Sequence, residues 1–429
     1  MQLMIGKKSI SLTAIGISCI LAALTVLDVI NKGSYLDEII GVLSLLYALF
    51  YVIANARRLS KLDLIFLAAL FASIVWGVIS NLTSGISQTW LSIGIDAVVE
   101  TKVLASFFWI KTIMTPKIRD DIVCIWTPIA KIFIAVAFVC GVLTLFLDTG
   151  MYNGMRFGIR SYTFIYHHAH QFIMACICSL LLILVDAEKK SSSADIWIAS
   201  ALITLVMTTK GQAFVFVAVG AFLLLYFRRH KKLSGIAVAT MAALILVVGI
   251  YQIQTYLLES GTPRNVFTIY SVKTANRFFP FGSGFATFGS DQASRNYSPL
   301  YYEYGFNSMW GMGTENGWFL SDNFWQGSLA QFGWIGFCIY VIPYTLVFVY
   351  TSRIHFQRKT KALLLAQLIH LYVYGFGAAT LSSLTGVFGF LVLGIILGGG
   401  DLKSALKKDV SCIETERSAV ASANHTHKR

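Results

Sequence analysis

Two arginines and three histidines lie close together in the segment GMRFGIRSYTFIYHHAHQF. They are Arg156, Arg160, His167, His168 and His170. Arginine presents a planar fork of donors that suits phosphate oxygens, and two arginines four residues apart can face one anion if the segment is helical. Three histidines also raise the possibility of zinc, but no cysteine lies in a predicted external loop. The pattern therefore favours hydrogen bonding to an anionic ligand or to the backbone, and we predict no metal site.

A single lysine, Lys210, lies in the sequence TTKGQ between two apolar stretches. Stretches of about 14 and 15 residues are short for a bilayer, so their junction would lie below the membrane surface. A cation at that depth needs an anionic partner. We expect a lipid-linked phosphate, and the alternative is a turn residue whose ammonium group reaches back to the surface.

Two further segments carry polar groups in the C-terminal half. Asp322 stands in SDNFWQ, a few residues before a predicted helix. Its carboxylate could be a general base or an N-terminal helix cap, and the sequence leaves both open. The segment RFFPFGSGFATFG, residues 277–289, begins with Arg277 and is a glycine-rich turn. Its backbone N–H groups could hold an anion.

The fourth and fifth predicted membrane spans contain charged residues. Asp96 and Glu100 are four residues apart on one helix face, Lys102 is nearby, and Lys131 lies in the next span. Charges inside a membrane are candidates for function. They could equally form a structural network in which Lys131 pairs with one carboxylate, and a proton pathway would suit a transporter.

Residues 259–327 form a long connection that is rich in aromatic side chains. Of its 69 residues, 17 are aromatic, about 25% against 14% for the whole chain. Disordered segments are poor in aromatics, so we predict a folded cap. Aromatic rings mixed with carboxylates and amides suit carbohydrate, and the alternative is an interfacial belt. The candidate glycan contacts are Tyr302, Trp318, Asn323 and Trp325.

The elements that position these residues follow from composition. The 429 residues are 56% apolar and only 13% charged, with a mean hydropathy of +0.69, whereas soluble domains carry roughly 25% charged residues. We predict an all-α polytopic membrane protein with 11–12 transmembrane helices and exclude a nucleic-acid binder, despite the net charge of +13. The predicted spans are 9–30, 39–56, 62–79, 91–113, 122–147, 166–185, 196–209, 213–227, 233–258, 328–350, 362–381 and 384–397.

The distribution of Lys and Arg sets the expected orientation. Cytoplasmic loops are enriched in these residues, and placing both termini in the cytoplasm puts 24 of the 34 inside and 8 outside. Residues 1–400 then form the transmembrane domain, with the cap of residues 259–327 outside between the ninth and tenth helices. Residues 401–429 form a polar cytoplasmic tail. The seventh, eighth and twelfth stretches are short and could be re-entrant instead.

Taken together, these patterns resemble the O-antigen polymerase (Wzy-type) and O-antigen ligase family of bacterial surface-polysaccharide assembly. The similarity lies in the layout and in four local patterns: residues 160–172, 208–211, 280–288 and 322–336. Two positions depart from the family. Asp322 stands where the ligase-like pattern has a histidine, and Lys210 stands where the middle turn usually has arginine, so the resemblance favours polymerase over ligase.

The resemblance implies glycosyl transfer from a glycan carried on undecaprenyl pyrophosphate, at the external face of the bacterial cytoplasmic membrane. It implies lipid-linked donor and acceptor, membrane lipids, no cofactor and no metal, with a chain-length regulator and a flippase as pathway partners. The cations expected to neutralise the pyrophosphate are Arg156, Arg160, Lys210 and Arg277. The proton acceptor would be Asp322, with His168 or His170 as alternatives. Ligase-type transfer to another acceptor and a flippase or transporter of the same lipid are the competing hypotheses.

Overall fold

The computed structural model describes residues 2–5, 8–31, 35–55, 59–254, 259 and 261–399. It is 75% helical, and strands among these residues occur in two antiparallel hairpins. β1 (Gln2–Ile5) pairs with β2 (Lys8–Ser11), and β3 (Tyr152–Arg156) pairs with β4 (Ile159–Tyr162). The predicted tail of residues 401–429 lies outside the described residues.

Fifteen α-helices follow one another along the described residues. They are α1 (Leu12–Ile30), α2 (Leu36–Asn55), α3 (Lys61–Ser84), α4 (Trp90–Ile113), α5 (Pro116–Phe146), α6 (Ala169–Lys189), α7 (Asp195–Met207), α8 (Gly211–Arg229), α9 (Gly235–Gln252), α10 (Pro263–Arg277), α11 (Asp291–Arg295), α12 (Pro299–Glu303), α13 (Phe324–Arg353), α14 (Arg358–Tyr374) and α15 (Leu384–Leu397). Helices α1–α9 and α13–α15 coincide with the twelve predicted apolar stretches, and α10–α12 belong to the cap.

Local sequence explains where several helices begin. Ser60, Thr89 and Thr115 precede α3, α4 and α5, and each side-chain oxygen accepts the backbone N–H three residues later. Such caps satisfy N–H groups that have no partner within the helix. In α5 the cap is followed by Pro116 at the first helical position, which proline favours, so α5 begins six residues before the predicted span.

Seven helices are long and apolar enough to cross a membrane: α1, α2, α3, α5, α6, α8 and α13. Helices α7, α9 and α15 are apolar but shorter. The outward surface of the bundle is itself apolar, as Leu43, Leu46 and Phe50 on α2 illustrate. Contiguous apolar surface of this kind is unusual on a soluble monomer and suits a lipid environment. The chain is a helical membrane protein.

Two predicted helix boundaries are wrong because the chain turns before the apolar stretch ends or begins. The stretch 362–381 is interrupted, since α14 ends at Tyr374 and a short 3-10 turn, Thr380–Ser382, follows. Helix α6 begins at Ala169 and not at 166, because the β3–β4 hairpin occupies the approach to it. A helical arrangement of Arg156 and Arg160 is therefore excluded.

The cap is folded around aromatic side chains of its own. Phe267, Phe288, Tyr301 and Phe306 are fully buried and their rings lie within 6.5 Å of one another between centroids. Aromatic pairs at these distances contribute beyond simple burial. They pack α10 against the short helices and the segment that follows them.

The cap is fastened to the bundle at a break in α13. Gly333 has φ 61° inside this helix, and a β-carbon there would lie 2.6 Å from the backbone nitrogen of Gly282. Only glycine combines that dihedral with so close an approach. The Nε1 of Trp76 on α3 donates to the carbonyls of Phe281 and Phe332, at 3.1 and 2.9 Å, on either side of the contact.

Candidate functional site

Three cations from separate parts of the chain meet at the start of α8. Arg156 ends β3, Lys210 precedes α8, and Arg264 lies in the first turn of α10. Burial lowers the pKa of Lys210, and the positive charges of Arg156 and Arg264 lower that pKa further. Arg156 and Arg264 thus each act on Lys210 through their charge. We call Arg156, Lys210 and Arg264 the cation cluster.

One carboxylate joins the cation cluster. Oδ2 of Asp322 accepts from Nη2 of Arg264 at 3.3 Å. Burial raises the pKa of Asp322, whereas Arg264 and the nearby His168 lower it, and the balance is a raised pKa. Against three cations, one carboxylate leaves an excess of two positive charges among these four side chains. The net positive charge of these partly exposed side chains would attract an anion.

His168 lies beside the cluster as the residue that precedes α6. Burial lowers its pKa, as do the charges of His167 and Lys210, whereas Asp322 raises it. A lowered pKa keeps the imidazole neutral near pH 7, where it can accept a proton. The His168 ring stacks on that of His170, with centroids 5.4 Å apart and planes 12° from parallel.

Helix starts add to the positive potential. Lys210 and His168 immediately precede α8 and α6, Asp322 is two residues before α13, and Arg264 is in the first turn of α10. The N-terminus of a helix carries roughly half a positive charge and directs unpaired N–H groups outward. Four helices therefore begin around the excess of two charges, which is the arrangement expected for a bound polyanion.

Buried polar atoms without partners lie along the same region. Asn323, which is 0% exposed, has no hydrogen-bond partner for either its amide oxygen or its amide nitrogen among the described residues. The side-chain oxygens of Gln212 and Gln326 also have none there. Buried polar groups in proteins are nearly always hydrogen-bonded, so each such atom marks a place for a polar ligand or water.

A row of rings leads from the cluster into the bundle. The ring of His170 lies 6.0 Å from that of Tyr374, which stacks 6.1 Å from the fully buried His370. Tyr374 also hydrogen-bonds Gln212 and Thr380. Both ring nitrogens of His370 lack a partner among the described residues. His370 lies one helical turn before Tyr374 on α14, so the polar region extends along that helix by one turn.

His168 is held in place by a buried carboxylate on α1. Oδ1 of Asp28 accepts from Gln171 Nε2 at 3.2 Å and from Thr385 Oγ1 at 3.0 Å, and Gln171 Oε1 accepts the backbone N–H of His168 at 3.1 Å. Asp28 thus links the first turns of α6 and α15. We expect it to be a positioning residue for His168.

The other two predicted phosphate-binding arginines have partners elsewhere. Nη1 of Arg160 donates to the carbonyls of Thr144 and Leu147, at 3.1 and 2.9 Å, which satisfies the end of α5. Arg277 forms an ion pair with Glu303 on the surface of the cap. The structure therefore brings Arg156 and Lys210 together and gives Arg160 and Arg277 other contacts.

The predicted glycan contacts fall into two groups. Tyr302 and Trp318 are exposed on the cap, whereas Asn323 and Trp325 are buried. Nε1 of Trp325 donates to the carbonyl of Tyr372 at 2.8 Å, and its ring packs against Tyr344. These contacts join α13 to α14 and give Trp325 a packing role.

The sequence makes the N–H groups of the glycine-rich turn candidates for holding an external anion. In the structure these groups donate to acceptors of the protein itself. The N–H groups of Ser283 and Gly284 donate to carbonyls of α13, and that of Phe285 donates to Asn81 at 2.8 Å. The N–H of Ala286 donates to Oδ2 of Asp96 at 2.5 Å. The anion that this turn binds is the protein's own carboxylate.

The remaining charges of α4 are also engaged within the chain. Glu100 accepts from Ser328 at 2.9 Å and from Tyr340 at 3.0 Å, and Lys102 pairs with Asp37 and Glu38 on α2. The expected pairing of Lys131 with a carboxylate of α4 is wrong. Its ammonium group lies 5.8 Å from the ring of Trp197.

Sequence reasoning missed Arg264, Asp28 and Tyr374. Arg264 carries a weak local signal, because Thr262 and Pro263 form a helix start that places it in the first turn. Asp28 and Tyr374 lie in or at the end of apolar stretches, and only the packing of distant helices gives them polar partners. No local pattern indicates such contacts.

The fold and site together define a helical membrane protein with an excess of positive charge at a meeting point of helix starts. No protein-family model and no curated protein matches the chain. Within the described ranges, no group of three His, Cys, Asp or Glu side chains could hold a metal ion. The functional conclusion therefore rests on the residues of the cluster.

Proposed function

We propose that the chain is a glycosyltransferase that joins oligosaccharide units carried on undecaprenyl pyrophosphate, as an O-antigen-type polymerase does. The observation that supports this most is the cation cluster, whose two excess positive charges lie where four helices begin. A pyrophosphate diester carries about two negative charges at neutral pH and would balance them. A neighbouring carboxylate and imidazole supply proton acceptors.

In the proposed reaction, a hydroxyl oxygen of the acceptor sugar attacks the anomeric carbon of the donor sugar. The bond from that carbon to the pyrophosphate oxygen breaks, and its electron pair leaves with the pyrophosphate. Arg156, Lys210 and Arg264 bind the departing group, whose charge increases in the transition state. Donors fixed in advance for such charge typically contribute about 3 kcal/mol each. One cavity for both lipid-linked substrates supplies proximity.

The acceptor's proton passes to Asp322 or His168. A raised pKa makes the Asp322 carboxylate a stronger base than an ordinary aspartate, and a lowered pKa keeps His168 neutral. The raised pKa moves Asp322 toward the range in which a general base is effective, and the neutral imidazole of His168 is able to accept a proton. The ion pair with Arg264 fixes the direction of the Asp322 carboxylate.

We propose twelve membrane spans, formed by α1–α9 and α13–α15, with both termini in the cytoplasm. Helix α4 has the length to span, and three of its four charged residues are buried against other helices, whereas Lys111 near its end pairs with Asp63. This arrangement places the cap and the cation cluster at the external face of the bacterial cytoplasmic membrane. Alkaline phosphatase fused after residue 299 or 316 should be active, and fusions after 190 or 230 should be inactive.

The direct test is deletion of the gene followed by gel analysis of surface glycan. A polymerase predicts that the ladder of chain lengths disappears while single repeat units are still displayed. Absence of glycan transfer to its final acceptor, with long chains retained on the lipid, would indicate a ligase. Repeat units trapped on lipid in the cytoplasmic leaflet would indicate a flippase.

Complementation then tests the cation cluster itself. Lys210→Met should fail to restore the ladder, because the variant keeps the side-chain length and loses the charge. Lys131→Met is the matched control, since Lys131 is a cation of the same membrane domain whose charge lies against Trp197. Equal ladders from both variants at equal protein levels would contradict the role of the cluster.

A further inference from the structure

Two tryptophans project from one loop of the cap. Trp310 is 74% exposed and Trp318 is 63% exposed, and their rings lie edge to face with centroids 6.3 Å apart. Exposure of one large aromatic side chain is common, but two adjacent ones form a small apolar surface. Keeping such rings in water costs free energy that burial elsewhere would recover. The two tryptophans therefore form a candidate ligand-binding surface.

The loop that carries the pair is rigid where it meets the cap. Met312 and Leu320 are fully buried in the aromatic core, and Tyr297 donates its hydroxyl to the carbonyl of Met312 at 3.0 Å. The N–H of Phe319 closes the loop by donating to the carbonyl of Gly311 at 3.1 Å. The tryptophans are thus held outward by packing on their neighbours, which lowers the entropy cost of binding.

Charge distinguishes between two occupants of this surface. From residue 296 to residue 352 the sequence contains no Lys or Arg. The exposed residues that flank the tryptophans in the sequence carry hydroxyl, amide and carboxylate groups, namely Tyr302, Glu303, Asn307, Ser308, Thr314, Glu315 and Asn316, and the basic residue that precedes this stretch, Arg295, is paired with Asp291. Surfaces that bind anionic lipid headgroups or acidic glycans use basic residues. Aromatic faces surrounded by neutral hydrogen-bonding groups instead suit uncharged sugars.

The pair lies within reach of the reacting centre. Trp318 is four residues before Asp322, so their α-carbons are at most about 14 Å apart. The chain between them turns, because the N–H of Asp322 approaches the carbonyl of Phe319 at 3.4 Å. A glycan whose end reacts beside Asp322 can extend over the tryptophans.

We propose that Trp310 and Trp318 form a binding platform for uncharged sugar residues of the glycan whose end reacts at the cation cluster. The proposal rests on the proposed function and adds the chemical class of the sugars. The indole faces stack on sugar C–H groups, and the exposed polar side chains of the same stretch supply hydrogen-bonding partners for ring hydroxyls. Acidic sugars are disfavoured by Glu315.

Saturation-transfer NMR on the purified full-length chain in phosphatidylcholine nanodiscs tests the platform. The probes are maltohexaose, which is uncharged, and an oligogalacturonate of similar length, which is acidic. Maltohexaose should receive saturation and oligogalacturonate should not. Trp310→Ala and Trp318→Ala should each weaken maltohexaose binding roughly three- to tenfold, whereas Trp318→Phe retains most of it. Phe279→Ala, which removes an exposed aromatic elsewhere on the cap, should have no effect.

Three results would overturn the platform: unchanged maltohexaose binding in the double Trp→Ala variant, equal binding of oligogalacturonate, or quenching of these two tryptophans by brominated lipid. Binding needs no transfer, so the two proposals fail separately. Lys210→Met should lose transfer and keep maltohexaose binding. Maltohexaose binding by a wild-type chain that transfers nothing would support the platform and reject the glycosyltransferase.

Discussion

Two polar regions of this membrane protein differ in where their charges find partners. Around α4, every charged group has a partner within the chain: Lys102 lies between two carboxylates, and Asp96 Oδ2 receives N–H donors from the cap and from Gln331, although Asp96 Oδ1 and Glu38 Oε2 have no partner among the described residues. Around Lys210, three cations meet one carboxylate, and the amide of Asn323 has no partner among the described residues. The first region fastens the fold, and the second is the one that we propose binds a ligand.

The contrast matters because both regions meet the usual description of a functional site. Each has ionisable groups at membrane depth, which are candidates for function by default. The degree of internal pairing separates them, since each ionisable group around α4 has at least one partner within the chain, whereas both amide atoms of Asn323 have none among the described residues. Removing a group from the α4 region should therefore affect stability, and removing one from the cation cluster should affect activity.

The largest effect is expected for Lys210→Met. Loss of one charge aimed at the departing pyrophosphate should lower the rate of transfer by about 10²–10³-fold, which is roughly 3–4 kcal/mol. The temperature of unfolding should stay the same or rise, because the variant relieves repulsion with Arg156 and Arg264. The rate of transfer is measured with purified protein and lipid-linked repeat units, with Lys131→Met assayed in parallel. A thermal unfolding scan measures the unfolding temperature.

Asp96→Ala should show the opposite pattern. It leaves the N–H of Ala286 without its acceptor and removes one of the two acceptors of Gln331 Nε2, and a buried donor left unpaired costs about 1–3 kcal/mol. We expect a lower unfolding temperature and faster proteolysis within residues 280–290. Asp96→Asn should recover much of the loss, since its amide oxygen can accept from the same donors. A variant that stays as stable as the parent but loses activity would remove the distinction between the regions.

A matched pair of smaller changes sharpens the contrast. Asn323→Leu removes an amide whose atoms have no partner among the described residues, so stability should be kept or raised while transfer falls roughly tenfold or more. Gln331→Leu removes an amide that donates to Asp96 at 3.0 Å and to the carbonyl of Phe288 at 2.9 Å, so stability should fall. Equal losses of stability in both variants would show that Asn323 serves packing.

The parts of this picture that sequence predicts are those that depend on short stretches of chain. Apolar runs predict the helices of the bundle, and the isolated lysine of TTKGQ marks a helix junction that the structure places in the cluster. Arg160 shows the limit, because a four-residue spacing implies a shared face only on a helix, and β3 and β4 form a hairpin there instead. The separation of two residues in the sequence indicates a shared face only once the local secondary structure is known.

Long-range contacts account for the rest. The glycine-rich turn has the composition of an anion-binding loop, and it does bind a carboxylate, but that carboxylate lies 190 residues away in the chain on α4. Arg264 and Asp322, 58 residues apart, meet only because α10 and the start of α13 pack together. Such pairings follow from the tertiary fold, and one sequence cannot reveal them.

The smallest expected effect tests the geometry of the cluster directly, through the pKa of His168. The charge of Lys210 lowers this pKa and that of Asp322 raises it. Lys210→Met should therefore raise the pKa of His168, and Asp322→Asn should lower it. Histidine-labelled protein titrated by NMR measures both, with His168→Gln to assign the signal among the eight histidines.

The opposite signs make this test stricter than a loss of activity. A general disturbance of the structure would expose His168 to water and move its pKa upward in both variants, because burial is the main cause of its depression. If His168 is the base, the acid limb of the rate profile should move in the same direction as its pKa, to lower pH in Asp322→Asn. Shifts of the same sign in both variants would mean that the charges act on His168 through the fold and not across a shared site.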